Sequence, residues 1–163
     1  MKVFLYMIVA VLFVSILITP IVEVFCLGRD RVLLSSTMYN SFRAARESSY
    51  SYLHMREIDA VADEEAFLRS FADTFAVSYG MYCISPASNP LRFASMGGDY
   101  NDFEVYVDFR DEAAAGDAIA TVVTITAKSE YRFRTMYMRM LSFGETNPYL
   151  LLRTQTYTMK VTN

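Results

Sequence analysis

The chain has 163 residues, a length that suits one modest domain, and it is 53% hydrophobic and 20% charged with a net charge of −3. That charge gives no basic footprint, so we expect no nucleic-acid partner. Two cysteines and one histidine are too few for a disulfide framework, a four-ligand zinc site or a histidine-based catalytic triad. We therefore expect no enzymatic activity, no metal or other cofactor and no small-molecule substrate.

The first element is apolar for the length of a membrane span. Residues 3–27 contain one charge, Glu23, and a helix of this length extends about 37 Å against a hydrocarbon core of about 30 Å. Gly28 and the charged residues 29–31 follow it. The residues before Gly28 make a poor signal-peptidase site, so an uncleaved membrane helix is preferred to a signal peptide. The other alternative, a buried helix of a soluble core, is rarely apolar on every face.

The distribution of basic residues bears on the orientation of this helix. Lys2 precedes it, and four arginines follow its other end: Arg29, Arg31, Arg43 and Arg46. A simple count of the Lys and Arg residues on the two sides favours, by the positive-inside rule, a cytoplasmic C-terminal domain. A short N-terminal tail can cross in either direction, however, so the count leaves both orientations open.

Two helices are predicted beyond the span. Between residues 32 and 55 a narrow apolar stripe, which needs a partner in water, repeats at helical spacing. It consists of Leu34, Met38, Phe42 and Ala45. A second helix is capped by Asp63 and ended by Gly80. It carries Phe67, Phe71 and Phe75 on one face, and we expect them to pack on a sheet through Val105, Val107, Val123 and Ile125.

After Gly80 the apolar period changes from helix to strand. The segments with strand character are 81–85, 91–95, 103–109, 120–128 and 149–162. They predict an antiparallel sheet of three or four strands, with residues 111–117 as a connection and 131–141 as either a kinked strand or a short amphipathic turn. The fold class is therefore α+β. The domains expected are a transmembrane helix at 1–27, a helical stalk with the second helix at 28–80, and an antiparallel β domain at 81–163.

Motifs that carry chemistry are missing from the sequence. There is no glycine-rich phosphate loop, no H-E-x-x-H and no G-x-S-x-G. Two carboxylate clusters, at 99–108 and 111–117, lack the spacing of an EF-hand and are interpreted as solvated loops. Cys26 and Cys83 are able to pair in an exported chain, although Cys26 lies at the end of the span.

Glu23 is the residue whose position most needs an explanation. An acidic side chain within an apolar span is a functional candidate by default. Because Glu23 lies near the end of the span, its side chain is also able to reach the headgroup region without any special role. Pro20 is the other marked feature, since it removes one backbone hydrogen bond from the helix.

The order of these elements resembles type IV pilin-like proteins, and more narrowly the TadE-like pseudopilins of tight-adherence pili. The similar stretches are the N-terminal MIVAVLFVSILITPI with Pro20, and the C-terminal ATVVTITAKSEYRFRTMYMRML followed by YLLLRTQTYTMKV. The chain departs from the family in having Leu5 near its start and its glutamate far down the apolar helix, at position 23, so Glu23 is not assigned the role of the pilin glutamate. The resemblance implies a domain outside the cytoplasm and a place at the cell surface or in a pilus.

The sequence therefore predicts a non-enzymatic, single-pass membrane protein that serves as a structural subunit of a pilus or pseudopilus. Its partners are the membrane and copies of itself or related subunits. The expected helix-packing residues are Leu12, Ile16, Pro20, Glu23, Leu34 and Met38. The alternative is a membrane-anchored accessory or binding subunit of a secretion or conjugation complex that does not polymerise.

Overall fold

The computed structural model describes residues 2–49, 63–86, 88–96, 101–113, 119–131, 133, 140 and 150–162, apart from the side chains of 113, 119 and 160–162. Two helices precede a sheet. The helices are α1 (Lys2–Ser49) and α2 (Glu64–Tyr79). The strands are β1 (Met81–Cys83), β2 (Leu91–Ser95), β3 (Phe103–Ala113), β4 (Ile119–Glu130) and β5 (Leu150–Thr162).

The sheet is a meander in which each strand pairs with the next in antiparallel fashion, in the order β1-β2-β3-β4-β5. The α+β fold class is thus confirmed, but the sheet has five strands where three or four were expected. Each of the five segments with strand character contributes a strand, since even the three-residue β1 pairs with β2, from Met81 opposite Ser95 to Cys83 opposite Phe93. β3 also continues to Ala113, so residues 111–113 of the expected connection are strand and 114–118 lie outside the described residues.

Helix α1 continues without a break from the apolar N-terminal part into the folded body. Its 48 residues extend about 72 Å at 1.5 Å per residue. The helix predicted from residue 32 is confirmed as far as Ser49, and residues 50–55 lie outside the described part.

Helix α2 begins and ends at the residues that its sequence indicates. The Asp63 carboxylate accepts a hydrogen bond of 3.1 Å from the Ala66 N–H, which satisfies a donor of the first turn. Gly80 ends the helix in the left-handed conformation, at φ 60°, where a side chain would strain the backbone. Both caps are local in sequence, which is why they were predictable.

One hydrophobic core joins the second half of α1, α2 and all five strands. Phe67, Phe71 and Phe75 are completely buried in it, as predicted. They belong to the same cluster as the sheet residues Val105, Val107, Val123 and Ile125. Ring contacts extend this packing, with Phe75 4.8 Å from Phe93 between ring centroids. The residues after about position 30 of α1 therefore fold together with the sheet.

Candidate membrane and assembly surface

The N-terminal part of α1 projects from the folded body with its apolar side chains uncovered. Throughout residues 3–22, here called the apolar segment, the large hydrophobic side chains are 43–73% exposed. The segment is apolar on all faces, unlike an amphipathic surface helix. In length and composition α1 is able to cross a membrane, and none of its most apolar stretch is buried within the chain.

The hydroxyls of Ser15 and Thr19 in the apolar segment are satisfied within the helix. The Ser15 hydroxyl donates to the Val11 carbonyl at 2.8 Å, and the Thr19 hydroxyl donates to the Ser15 carbonyl at 3.1 Å. Pro20 lies inside the helix and has no N–H to donate to the carbonyl one turn earlier. Hydroxyls that bond back to the helix carry little polarity to the surface, so they suit an apolar environment.

Glu23 lies at the junction between the apolar segment and the folded body. Its side chain is only 2% exposed, and the Tyr131 hydroxyl, from the chain just after β4, donates a hydrogen bond of 3.3 Å to its Oε1. The Tyr131 ring meets the Phe133 ring edge to face at 5.4 Å. The sequence left two explanations of Glu23 open. The one in which its side chain reaches the headgroup region does not fit the structure, because Glu23 faces the chain's own domain.

Asp30 extends the same buried face two helical turns further along α1. It is 1% exposed, and Arg29, whose side chain is 62% exposed, contacts its Oδ1 at 3.3 Å. Burying a carboxylate is costly unless charge or hydrogen bonds compensate it. The two acidic side chains thus belong to the interface between α1 and the folded body and do not point towards lipid.

The environment of Tyr131 keeps its hydroxyl protonated. Burial, and next the negative charges of Glu23 and Asp30, raise the pKa of Tyr131 to about 12. The phenol therefore remains a hydrogen-bond donor to Glu23 across the physiological range. The contact joins the start of the α1 interface to the region between β4 and β5.

The structure divides the predicted packing residues into two groups. Leu12 and Ile16 are 58% and 55% exposed, and Pro20 is half-buried, so they remain accessible or partly accessible on the apolar segment. Glu23, which is 2% exposed, faces the chain's own domain and so does not present its side chain to a neighbouring copy as expected. Leu34 and Met38 are completely buried in the chain's own core. The expectation that Leu34 and Met38 contact neighbouring copies is therefore corrected: the partner that their narrow stripe requires is the domain of the same chain.

Sequence reasoning missed Tyr131 and the role of Asp30. A signal was available, because Glu23, Asp30, Leu34 and Met38 are separated by seven, four and four residues, which places them on one helix face. The buried stripe of α1 thus begins at Glu23. Tyr131 carried no comparable signal, since its position depends on the sheet topology.

The cysteines and carboxylates show no metal or disulfide chemistry in the described part of the chain. Cys26 and Cys83 are both free thiols, and burial raises the pKa of the Cys83 thiol. Among the described residues no three histidine, cysteine or carboxylate side chains gather as a metal site. Glu104 instead pairs with Arg92, and Asp108 with Arg110. Asp99 and Asp117 lie outside the described residues.

No protein-family model, curated protein or solved structure gives a significant match to this chain.

Proposed function

We propose that this chain is a non-enzymatic, pilin-like subunit, anchored in a membrane by the apolar segment and assembled with copies of itself or with related subunits through that segment. The domain faces the outside of the cytoplasmic membrane. The observation that carries the proposal is the uncovered apolar segment, continuous with a helix whose second half is built into the domain core.

Exposed apolar area of this extent requires a covering. Hydrophobic surface is unfavourable in water by roughly 25 cal/mol per Å², and monomers in solution seldom expose contiguous apolar patches larger than a few hundred Å². Lipid covers the segment before assembly, and the segments of neighbouring subunits cover it in a filament. A helix that is apolar on all faces suits both environments, because a subunit inside a bundle is surrounded on every side.

The rigid connection also supports a structural role. α1 runs from the apolar segment into the core as one unbroken helix, so the position of the apolar segment sets the position of the domain. Subunits packed through their apolar segments therefore display their domains in a regular array. A binding domain on a membrane tether does not need such a fixed relation.

The direct test is electron microscopy of sheared cell-surface material from cells that express the full chain, with mass spectrometry of any fibres. Fibres that contain the chain are expected. A chain found only as a monomer in the membrane fraction contradicts the filament proposal and favours the non-polymerising membrane-anchored subunit.

Cross-linking tests the proposed contact surface. In a background with Cys26→Ser and Cys83→Ser, single cysteines replace Leu12 or Ile16, and mild oxidation is applied to intact cells. We expect disulfide-linked dimers through at least one of these positions. The matched control is Val77→Cys in the same background, because Val77 is 83% exposed but lies on α2. Equal dimer yields at all three positions would indicate random collision and contradict assembly through the apolar segment.

A further inference from the structure

An open groove separates α1 from the edge strand β5, on the side of the domain nearest the apolar segment. Its volume is about 500 Å³, within the range of small-molecule sites. Arg31, Ser35 and Tyr39 line one wall, and Arg153, Gln155 and Tyr157 line the other. The groove combines these polar side chains with apolar surface that includes Val32, and none of its lining residues takes part in the Glu23 contact.

The floor of the groove is held by contacts between its two walls. The Tyr157 hydroxyl donates to the Gln155 side-chain oxygen, and the Gln155 amide donates to the Ser35 hydroxyl. Tyr39 and Tyr157 approach within 6.1 Å between ring centroids, and Tyr157 stacks on the buried Phe42 at 4.3 Å. Because Ser35 accepts from Gln155, it keeps its own O–H as a donor.

These contacts place the two arginines at the same end of the groove. Ser35 and Gln155 are joined by a hydrogen bond, which fixes one point of contact between the two walls. Arg31 precedes Ser35 by four residues, which is about 6 Å along α1 at 1.5 Å per residue. Arg153 precedes Gln155 by two residues, which is about 7 Å along β5 at the usual rise of a strand. The Tyr39–Tyr157 contact lies on the other side of Ser35, so both guanidinium groups occupy the end nearest the apolar segment.

Two positive charges facing one groove favour an anion between them. None of the ion pairs found among the described residues involves Arg31 or Arg153, whereas Arg29, Arg43, Arg69, Arg92 and Arg110 all pair with carboxylates. Guanidinium groups bind phosphate oxygens through paired, charge-assisted hydrogen bonds. The Ser35 and Ser36 hydroxyls add neutral donors of the kind that phosphate and glycerol oxygens accept.

The position of the groove relative to the proposed membrane indicates which kind of phosphate is available there. Phe25 is 76% exposed and is the last strongly exposed apolar residue before the charged residues 29–31. Arg31 follows Phe25 by six residues, about 9 Å along the helix axis, and the polar layer on each side of the hydrocarbon core is about 5–8 Å thick. A tilted helix and a long arginine side chain bring its guanidinium within that layer.

We propose that this groove binds the phosphate headgroup of an anionic phospholipid between Arg31 and Arg153. The inference rests on the membrane anchoring in the proposed function but not on filament assembly. It also gives the arginine at position 31 a role that does not depend on which side of the membrane the domain occupies.

The test uses the purified full chain in a non-ionic detergent and a fluorescent short-chain phosphatidylglycerol, with the matching phosphatidylcholine as the zwitterionic probe. Both probes offer a phosphate, but the choline ammonium of the zwitterionic probe lies beside its phosphate and is repelled by the two guanidinium groups. We therefore expect the anionic probe to bind about tenfold more tightly or better. Arg31→Gln and Arg153→Gln should each remove that preference. The control Arg43→Gln, at a residue on the same helix that pairs with Glu47, should retain it.

Three results would overturn the proposal. The first is equal binding of the two probes by the unaltered chain, and the second is a preference that survives both Arg31→Gln and Arg153→Gln. The third is displacement of the anionic probe by glycerol phosphate at the concentration of the probe itself, which would identify a soluble phosphate ester as the ligand. Alkaline extraction from membranes shows separately whether each variant is still anchored. A chain that resists extraction but shows no lipid preference refutes the groove proposal and leaves the membrane anchoring intact.

Discussion

The Tyr131 hydroxyl donates a hydrogen bond to Glu23 from a position 108 residues further along the chain. The contact joins α1, just after the apolar segment, to the region beyond β4, and it holds the first residue of α1 that is buried against the domain. Carboxylate, phenol and the neighbouring Phe133 ring make a small buried interface whose energetics can be measured.

Tyr131→Phe should destabilise the folded chain by about 1.5–3 kcal/mol, the usual value of a hydrogen bond to a charged group. The measurement is urea unfolding of the full chain in detergent, followed by tyrosine fluorescence because the chain has no tryptophan. The control is Tyr106→Phe, whose hydroxyl contacts Glu104 at 3.4 Å in an exposed position and should change stability little. Equal effects of the two substitutions would show that the Glu23 contact contributes nothing specific.

The free energy of unfolding should decrease as pH rises between about 10 and 12. Burial is the main factor that raises the pKa of both Tyr131 and Tyr157 to about 12, so the folded state keeps protons that the unfolded state loses near pH 10. The stabilisation is complete below pH 10 and is lost as the pH passes 12. Tyr131→Phe should make this decrease shallower. Phe71→Leu, at a ring that contacts Phe67 and Phe75, should instead lower stability about equally at every pH. An unchanged slope in Tyr131→Phe would contradict the assignment.

Phe71→Ala should cost about 3–5 kcal/mol, because it leaves a cavity in a core that includes α1, α2 and the sheet. That loss is enough to unfold a domain of ordinary stability. Val77→Ala, on the exposed face of the same helix, serves as the control and should change the unfolding midpoint by little. A similar midpoint for both variants would mean that the phenylalanine face of α2 does not support the fold.

Met38→Glu should unfold the domain itself and so abolish assembly indirectly. Met38 is completely buried, and an unpaired buried carboxylate costs several kcal/mol. Leu33→Glu is the matched control, because Leu33 lies off the buried face of α1 and is 38% exposed. Protease resistance in membranes is the measurement, and a Met38→Glu chain as resistant as the wild type would contradict the burial of this side chain.

Val11→Arg should impair membrane insertion, because an arginine in the middle of a span costs about 2.5–3.5 kcal/mol on insertion scales. Val3→Arg, at the end of the apolar segment, should be tolerated because its side chain reaches the interface. Carbonate extraction measures the outcome. Release of the unaltered chain by carbonate would refute the anchor.

The parts of the fold that were predictable depend on local chemistry. The caps at Asp63 and Gly80, the phenylalanine repeat of α2 and the alternation of β3 and β4 each depend on residues a few positions apart. The covering of Met38 and the partner of Glu23 depend on contacts across the sheet, which periodicity does not specify. The stripe of α1 was visible, but it did not reveal whether its partner was another subunit or the same chain.

The unbroken course of α1 has a mechanical consequence. A force that pulls on the N-terminal end along the helix axis loads the packing between α1 and the rest of the domain in shear, so many contacts must yield together. A flexible tether would instead let the load open the domain from one edge. The buried ring of Phe42, stacked on Tyr157 of β5, lies directly in the path of that load. Tension applied to the apolar segment is thus carried straight to the edge strand of the sheet.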